Sequence, residues 1–228
     1  MDYLLQAVRE NVYAFAVWDT SWGSYNNCYI VLEEDGVTLI DCGKKEHAQL
    51  LVDALQSLSK TPDDVTVIIA THGHEDHVQG IDLFAKAVKY IHIREEGAIE
   101  VSNSDRFTTV KDDSGIIGDF TYALVGTHSP GSMVVYHRPT KILFSGDFLC
   151  YFGDPLSNEG FISNGMDLRQ AWLDFMKEGG VASKELSHFL SGLRIMKGFD
   201  ADALCTGHGG ILTGEIGQFF GDLLACGE

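Results

Sequence analysis

Between Ala70 and Val78 the chain reads Thr71-His72-Gly73-His74-Glu75-Asp76-His77, three imidazoles and two carboxylates in one short run. In an extended stretch alternate side chains point to the same side, so His72 and His74 can bind one ion together. Asp76 and His77 fall where the chain turns into a helix and can face a second ion beside the first. Neutral imidazole and carboxylate are the ligands that borderline divalent metals such as zinc favour. The competing reading is a polar surface loop that happens to be rich in histidine. The chain has nine histidines. Taken singly, those outside this run are ordinary structural or exposed residues.

A metal loop needs a rigid mount. Val65 to Ala70, just before it, is a β-branched apolar run of the kind buried on both faces of a sheet. A helix is predicted after it, from Val78 to about Val88. Upstream, Asn27–Glu33 and Val37–Asp41 are two strands joined through Glu34-Asp35-Gly36, since Asp-Gly tolerates the positive φ of a tight hairpin. Glu46 to Ser59 reads as a helix with Leu50, Leu51, Ala54, Leu55 and Leu58 on one stripe, broken by Thr61-Pro62-Asp63-Asp64. Further strands are predicted at Tyr90–Ile93, Thr121–Gly126, Ser132–Arg138 and Lys141–Ser145. Two amphipathic helices follow, one carrying Leu168, Ala171, Trp172 and Phe175, the other Leu186, Phe189, Leu190, Leu193 and Met196. A strand at Ala203–Cys205 and a helix from about Glu215 to Leu224 complete the pattern. No linker or low-complexity tract divides it, so a single domain over residues 1–228 is expected. Its class is α/β (α+β), and two similar sheet-plus-helix units would form a four-layer αββα sandwich.

The chain has 228 residues, with 16 Lys+Arg against 33 Asp+Glu and a net charge of −17. That balance argues against a grip on nucleic acid or an anionic membrane, both of which need a basic face. No run approaches the ~20 apolar residues of a membrane helix. Met1-Asp2-Tyr3 lacks the basic start of a secretory signal. Five cysteines, an odd number with no CxxC, fit reduced thiols. A cytoplasmic protein acting on a small molecule is the expectation, with no oligomeric state implied.

The run His72-x-His74-x-Asp76-His77 after a buried strand resembles the metallo-β-lactamase superfamily of metal-dependent hydrolases. Four more segments resemble that family's motifs, in order: Leu39-Ile40-Asp41-Cys42-Gly43, Gly126-Thr127-His128-Ser129-Pro130-Gly131-Ser132, Leu143-Phe144-Ser145-Gly146-Asp147 and Thr206-Gly207-His208-Gly209. The resemblance runs from about Val12 to the C-terminus. It implies that His72, His74 and His128 hold a first metal, Asp76, His77 and His208 a second, and that Asp147 bridges the two. Asp41 would orient a ligand through hydrogen bonds, or simply cap its strand.

The implied chemistry is hydrolysis by a hydroxide bridging two divalent ions, zinc first, with iron or manganese as other candidates. Such ions lower the pKa of bound water toward ~7. Asp76 and Asp147 are the catalytic carboxylates, Asp76 being placed to handle the leaving-group proton. The ligand set is shared by thioesterases, lactonases, β-lactamases, nucleases and phosphodiesterases. The few residues after His208 do not suffice for the helical domain with which glyoxalase II holds glutathione. Flavin-linked diiron oxidases of the superfamily place Glu where this chain has His74. A small ester, thioester or lactone is therefore expected; a mononuclear iron sulfur dioxygenase or a phosphodiesterase are the alternatives. The loop Trp18–Tyr25, with Trp22, reads as an apolar lid, and Tyr151 and Phe152 as the opposite wall, Tyr151 also as an oxyanion donor.

Overall fold

The computed structural model describes residues 3–95, 106–153 and 156–227. The chain divides into two compact units, Met1–Asp112 and Asp113–Glu228, and each builds its own seven-stranded sheet.

In the first unit the strands lie side by side in chain order: β1 (Leu4–Arg9), β2 (Val12–Asp19), β3 (Ser24–Glu33), β4 (Gly36–Ile40), β5 (Val65–Ile69), β6 (Val88–His92) and β7 (Thr108–Val110). The first four run antiparallel and the last four parallel. Glu34-Asp35 makes the predicted hairpin turn between β3 and β4. Gly36 must follow it, because a Cβ there would lie 2.6 Å from Thr66 Cγ2. Helix α1 (Ala48–Ser57) makes the crossover from β4 to β5 and buries Leu51, Val52, Ala54 and Leu55. Leu51, Ala54 and Leu55 join a core that includes Phe15, Ile30, Leu39, Ile68 and Phe84.

Two expectations are corrected in this unit. The helix predicted over Val78–Val88 is instead one α-turn, α2 (Glu75–Val78), then a 3₁₀ stretch, Gln79–Leu83, and Val88 already belongs to β6. The reason is Gly80: a Cβ there would sit 2.1 Å from the Cys42 carbonyl oxygen, and its N–H bonds the Gly43 carbonyl at 3.0 Å. The chain is held against the end of β4 too tightly to wind a regular helix. Half of the loop expected over Trp18–Tyr25 is strand. Trp18 and Tyr25 pair across β2 and β3 with ring centroids 5.2 Å apart, so that only Thr20 to Gly23 turn.

The second unit orders its strands β12-β14-β13-β11-β10-β9-β8. Here β8 (Ser114–Ile117), β9 (Phe120–Leu124), β10 (Met133–His137) and β11 (Ile142–Gly146) form an antiparallel meander. After β12 (Ile162–Ser163), the helices α3 (Met166–Lys177) and α4 (Ser183–Lys197) lead to β13 (Ala203–Thr206), which pairs parallel with β11. Strand β14 (Ile211–Thr213) returns antiparallel, and α5 (Ile216–Gly227) follows. The core gathers Val134, Leu143, Phe148, Leu193, Leu204, Phe219 and Phe220. Buried Arg169 locks α3 to the chain beyond β14, donating to the carbonyls of Asn164, Thr213, Gly214 and Glu215 at 2.6–3.3 Å. The mixed α/β class with two sheets is as expected. Among the described residues no helix is long and apolar enough to cross a membrane.

Candidate metal centre

In the first unit the ligand-bearing loop leaves the end of β5, anchored where the Ala70 amide bonds the Tyr90 carbonyl at 2.9 Å. His72 and His77 are fully buried, Asp76 is buried and His74 is exposed. The His72 ring lies 4.6 Å from that of His74 and 4.1 Å from that of His77, centroid to centroid. Ligand atoms of His72 and His74 fall within 4.8 Å of one another, as do those of His72 and His77 and of Asp76 and His77.

Hydrogen bonds decide which nitrogen of each ring is available. Asp41, at a left-handed φ of 58°, points its carboxylate into the loop. The Thr71 amide donates to its Oδ1 at 2.7 Å, and the Thr71 hydroxyl to its Oδ2 at 2.9 Å. His77 Nδ1 lies 2.8 Å from the same Oδ2. A carboxylate only accepts, so His77 carries its proton on Nδ1 and its lone pair on Nε2. The one Thr71 hydroxyl proton is committed to Asp41. His72 Nδ1, 3.0 Å from that oxygen, must then donate to it and also keep its lone pair on Nε2. Both rings are thus set as neutral imidazoles that could offer Nε2 to an ion, oriented through Nδ1 by Asp41 and Thr71.

Glu95, which sequence reasoning did not single out, is fully buried and accepts the Gly73 N–H at 2.9 Å, between the candidate ligands His72 and His74. The same unit holds a cavity of about 550 Å³ lined by Ser21, Trp22, Lys44, Gly73, His74, Glu75 and Asp76. Trp22 stands at its rim, 56% exposed. The turn that carries it is tied down: Lys44 pairs with Asp19 and donates to Ser21 Oγ at 2.9 Å, and Ser21 donates to Asp19 through both amide and hydroxyl. Burial pushes the Asp19 carboxyl up, but the Lys44 ammonium and the Ser21 donors outweigh it and hold it below the usual carboxylate range.

In the second unit Asp147 follows β11, and its Oδ2 lies 3.5 Å from His128 Nε2 and 3.4 Å from His208 Nε2. Gly146, at φ 50°, makes the bend that presents Asp147, and its carbonyl takes the Gly207 N–H at 2.8 Å. This bond ties the Asp147 and His208 loops together. His128 sits in the turn between β9 and β10, closed by the Gly126 and Ser132 amides bonding Ser132 and Ser129 carbonyls at 2.9 and 3.1 Å. The Phe152 ring lies 4.9 Å from that of His208, itself buried. Tyr151 is buried in the apolar core, and burial pushes its phenol pKa up.

Of the remaining histidines, His137 is buried with Nδ1 2.7 Å from Thr140 Oγ1, and His92 is buried as well. His188 is exposed, close over Gly126. The donor chemistry therefore fits divalent metal in each unit: imidazole nitrogens of fixed tautomer beside Asp76 in the first, two imidazoles sharing one carboxylate oxygen's neighbourhood in the second.

Comparison with known proteins agrees with this chemistry. The profile described as the metallo-beta-lactamase superfamily matches residues 22–208. The probable metallo-hydrolase YybB of Bacillus subtilis is 28% identical over 135 residues, 52% of this chain and 60% of its own length. Metallo-beta-lactamase domain-containing protein 1 of Mus musculus is 38% identical over 52 residues, 23% of this chain. That stretch spans only 20% of the mouse protein. Among solved structures, a flavo di-iron protein from Thermotoga maritima superposes with a TM-score of 0.78 at 20% identity, over 98% of this chain and 60% of its own. It shares the fold. With five motifs in order, ligand-type residues at the loop ends and a profile match over most of its length, the chain belongs to the metallo-β-lactamase superfamily.

Proposed function

We propose that the chain is a dinuclear metal-dependent hydrolase of a small, uncharged ester, thioester or lactone. The observation that carries this reading is the tautomer lock: Asp41 and Thr71 hold the Nδ1 protons of His77 and His72, which leaves two buried Nε2 lone pairs side by side. On the family resemblance, His72, His74 and His128 hold one ion, Asp76, His77 and His208 the other, and Asp147 serves both. Two divalent ions so held supply an activated water at neutral pH and positive charge to polarise a carbonyl.

The chain's own groups do the rest. Asp76 lies in the first turn of α2 with its Oδ2 3.7 Å from His77 Nε2, and on this reading it passes a proton to the departing group. Glu95 fixes the backbone between His72 and His74. Phe152 shields the His208 ring from water. In the cavity beside His74, the ammonium of Lys44 is already neutralised by Asp19, which favours an uncharged substrate over a phosphate.

Iron is the second reading, because a structure of the same fold is named as a di-iron protein. His74, where flavin-linked diiron oxidases place Glu, speaks for zinc. Metal content of the purified protein, followed by thioester, lactone, β-lactam and phosphodiester substrates on the same sample, tests both. Two zinc ions per chain, with hydrolysis abolished by His72→Ala, is the expected result. Iron together with no hydrolysis of any substrate in the panel would overturn it.

A further inference from the structure

The second unit contains an apolar cavity of about 560 Å³ that reaches Asp147 and is walled by Phe152, Leu168, Ala171, Trp172 and Phe175. The four α3 residues recur at helical spacing and read in sequence as an ordinary core stripe. They do not all pack as one: Phe175 is 45% exposed and Phe152, opposite, 54%. The wall is rigid nonetheless. Trp172 Nε1 donates to the Cys150 carbonyl at 3.1 Å, and its ring stacks on Phe189 at 10° and meets Phe175 edge-on at 5.3 Å. Helix α3 is pinned at its start by Asp167, which accepts from the Ser157 hydroxyl at 2.6 Å and the Asn158 amide at 2.7 Å. No Lys or Arg lines the space, and its one charged group is the Asp147 carboxylate.

We infer that this cavity takes the apolar acyl chain of the substrate, so that the site selects medium-chain acyl groups over acetyl. The inference rests on the hydrolase reading for what happens at Asp147, but not for the binding itself. The volume falls in the range of small-molecule pockets, roughly 300–1,000 Å³. In the metal-loaded protein the carbonyl-bearing end lies toward Asp147, where bound ions would polarise it, and the apolar chain lies against the aromatic wall. Each methylene moved from water onto these walls strengthens binding by up to roughly fourfold.

The test measures kcat/KM on acetyl, butyryl, hexanoyl and octanoyl esters of one phenol, and calorimetric binding of octanamide. Both are run on the metal-loaded wild type, on Ala171→Phe, which fills the cavity from an exposed helix position, and on Phe175→Ser, which opens its wall. We expect kcat/KM to rise at least tenfold from acetyl to octanoyl in the wild type. Ala171→Phe should cut the octanoyl-to-acetyl ratio and the octanamide affinity at least tenfold, and Phe175→Ser severalfold. A flat chain-length profile, or octanamide binding indifferent to both variants, would sink the inference while leaving hydrolysis intact. Octanamide binding that responds to the variants, with no ester cleaved, would instead remove the hydrolase reading and keep the cavity.

Discussion

At Asp41 a single carboxylate gathers the Thr71 amide, the Thr71 hydroxyl and His77 Nδ1, and so governs two histidines at once. Asp41→Asn keeps the size but offers one acceptor oxygen, so His77 loses its orienting partner. A 10–100-fold loss of metal affinity is expected, read by competition with a chromogenic chelator. Glu95 acts on backbone instead. Glu95→Leu leaves the buried Gly73 N–H without its acceptor and should cost about 1–3 kcal/mol in urea denaturation, whereas Glu95→Gln, which keeps an oxygen, should cost far less. If the two variants were equally unstable, the Gly73 bond would not be the reason. The difference between these residues is also a difference in legibility. His72 to His77 were readable because their pattern is local, and Asp41 because it ends a strand inside a recognisable motif. Glu95 bonds a peptide N–H in a distant loop, and neither its type nor its spacing announces such a contact; it lies in the short turn Ile93–Glu95 after β6.

Among the elements, strands with alternating or β-branched runs were easily read, and so were the helices with full stripes. Strand β2 was not, since Val12 to Trp18 is almost continuously apolar and gives no period of either kind. The helix predicted after the metal loop fails for a reason that lies elsewhere in the chain: the Cys42 carbonyl, which only Gly80 can approach. A comparable close approach supports the loop that carries Asp147 in the second unit. A Cβ on Gly192 in α4 would stand 2.3 Å from the ring of Phe148, the residue after Asp147, and that ring is stacked on Phe189 at 4.9 Å with nowhere to retreat. Gly192→Ala should therefore lower stability by about 1–3 kcal/mol and weaken metal binding as well, which thermal melts with and without chelator would show. In the hairpin β10–β11, burial pushes the His137 imidazole pKa down while its ring stacks on Phe120. The unfolded chain then takes up the proton more readily than the folded one. The stability this group contributes is complete above its unfolded pKa of about 6.5 and declines as pH falls below it. His137→Phe should flatten the slope of stability against pH between about 5 and 6.5; an unchanged slope would assign it to other groups.

For the molecule as a whole, composition speaks only at a coarse grain. A net charge of −17 argues against polyanionic partners, and two divalent ions would bring it only to −13, by −17 + 4. What composition could not convey is the order in which the sheets close. The first unit's strands neighbour one another in chain order, whereas β13 must slot in beside β11 after the whole of α3 and α4 has been made. A chain ending at residue 202 would thus leave the β11 edge bare, and light scattering should show it associating where the full chain does not. Because its strands neighbour one another in chain order, the first sheet can pair strand upon strand as it is synthesised. The second waits for Ala203–Thr206, and His208 comes just behind that strand. The candidate ligand His208 thus arrives with the strand that fills the gap, and nascent chains should pass through an interval of open sheet edge in the second unit that a chaperone is suited to cover.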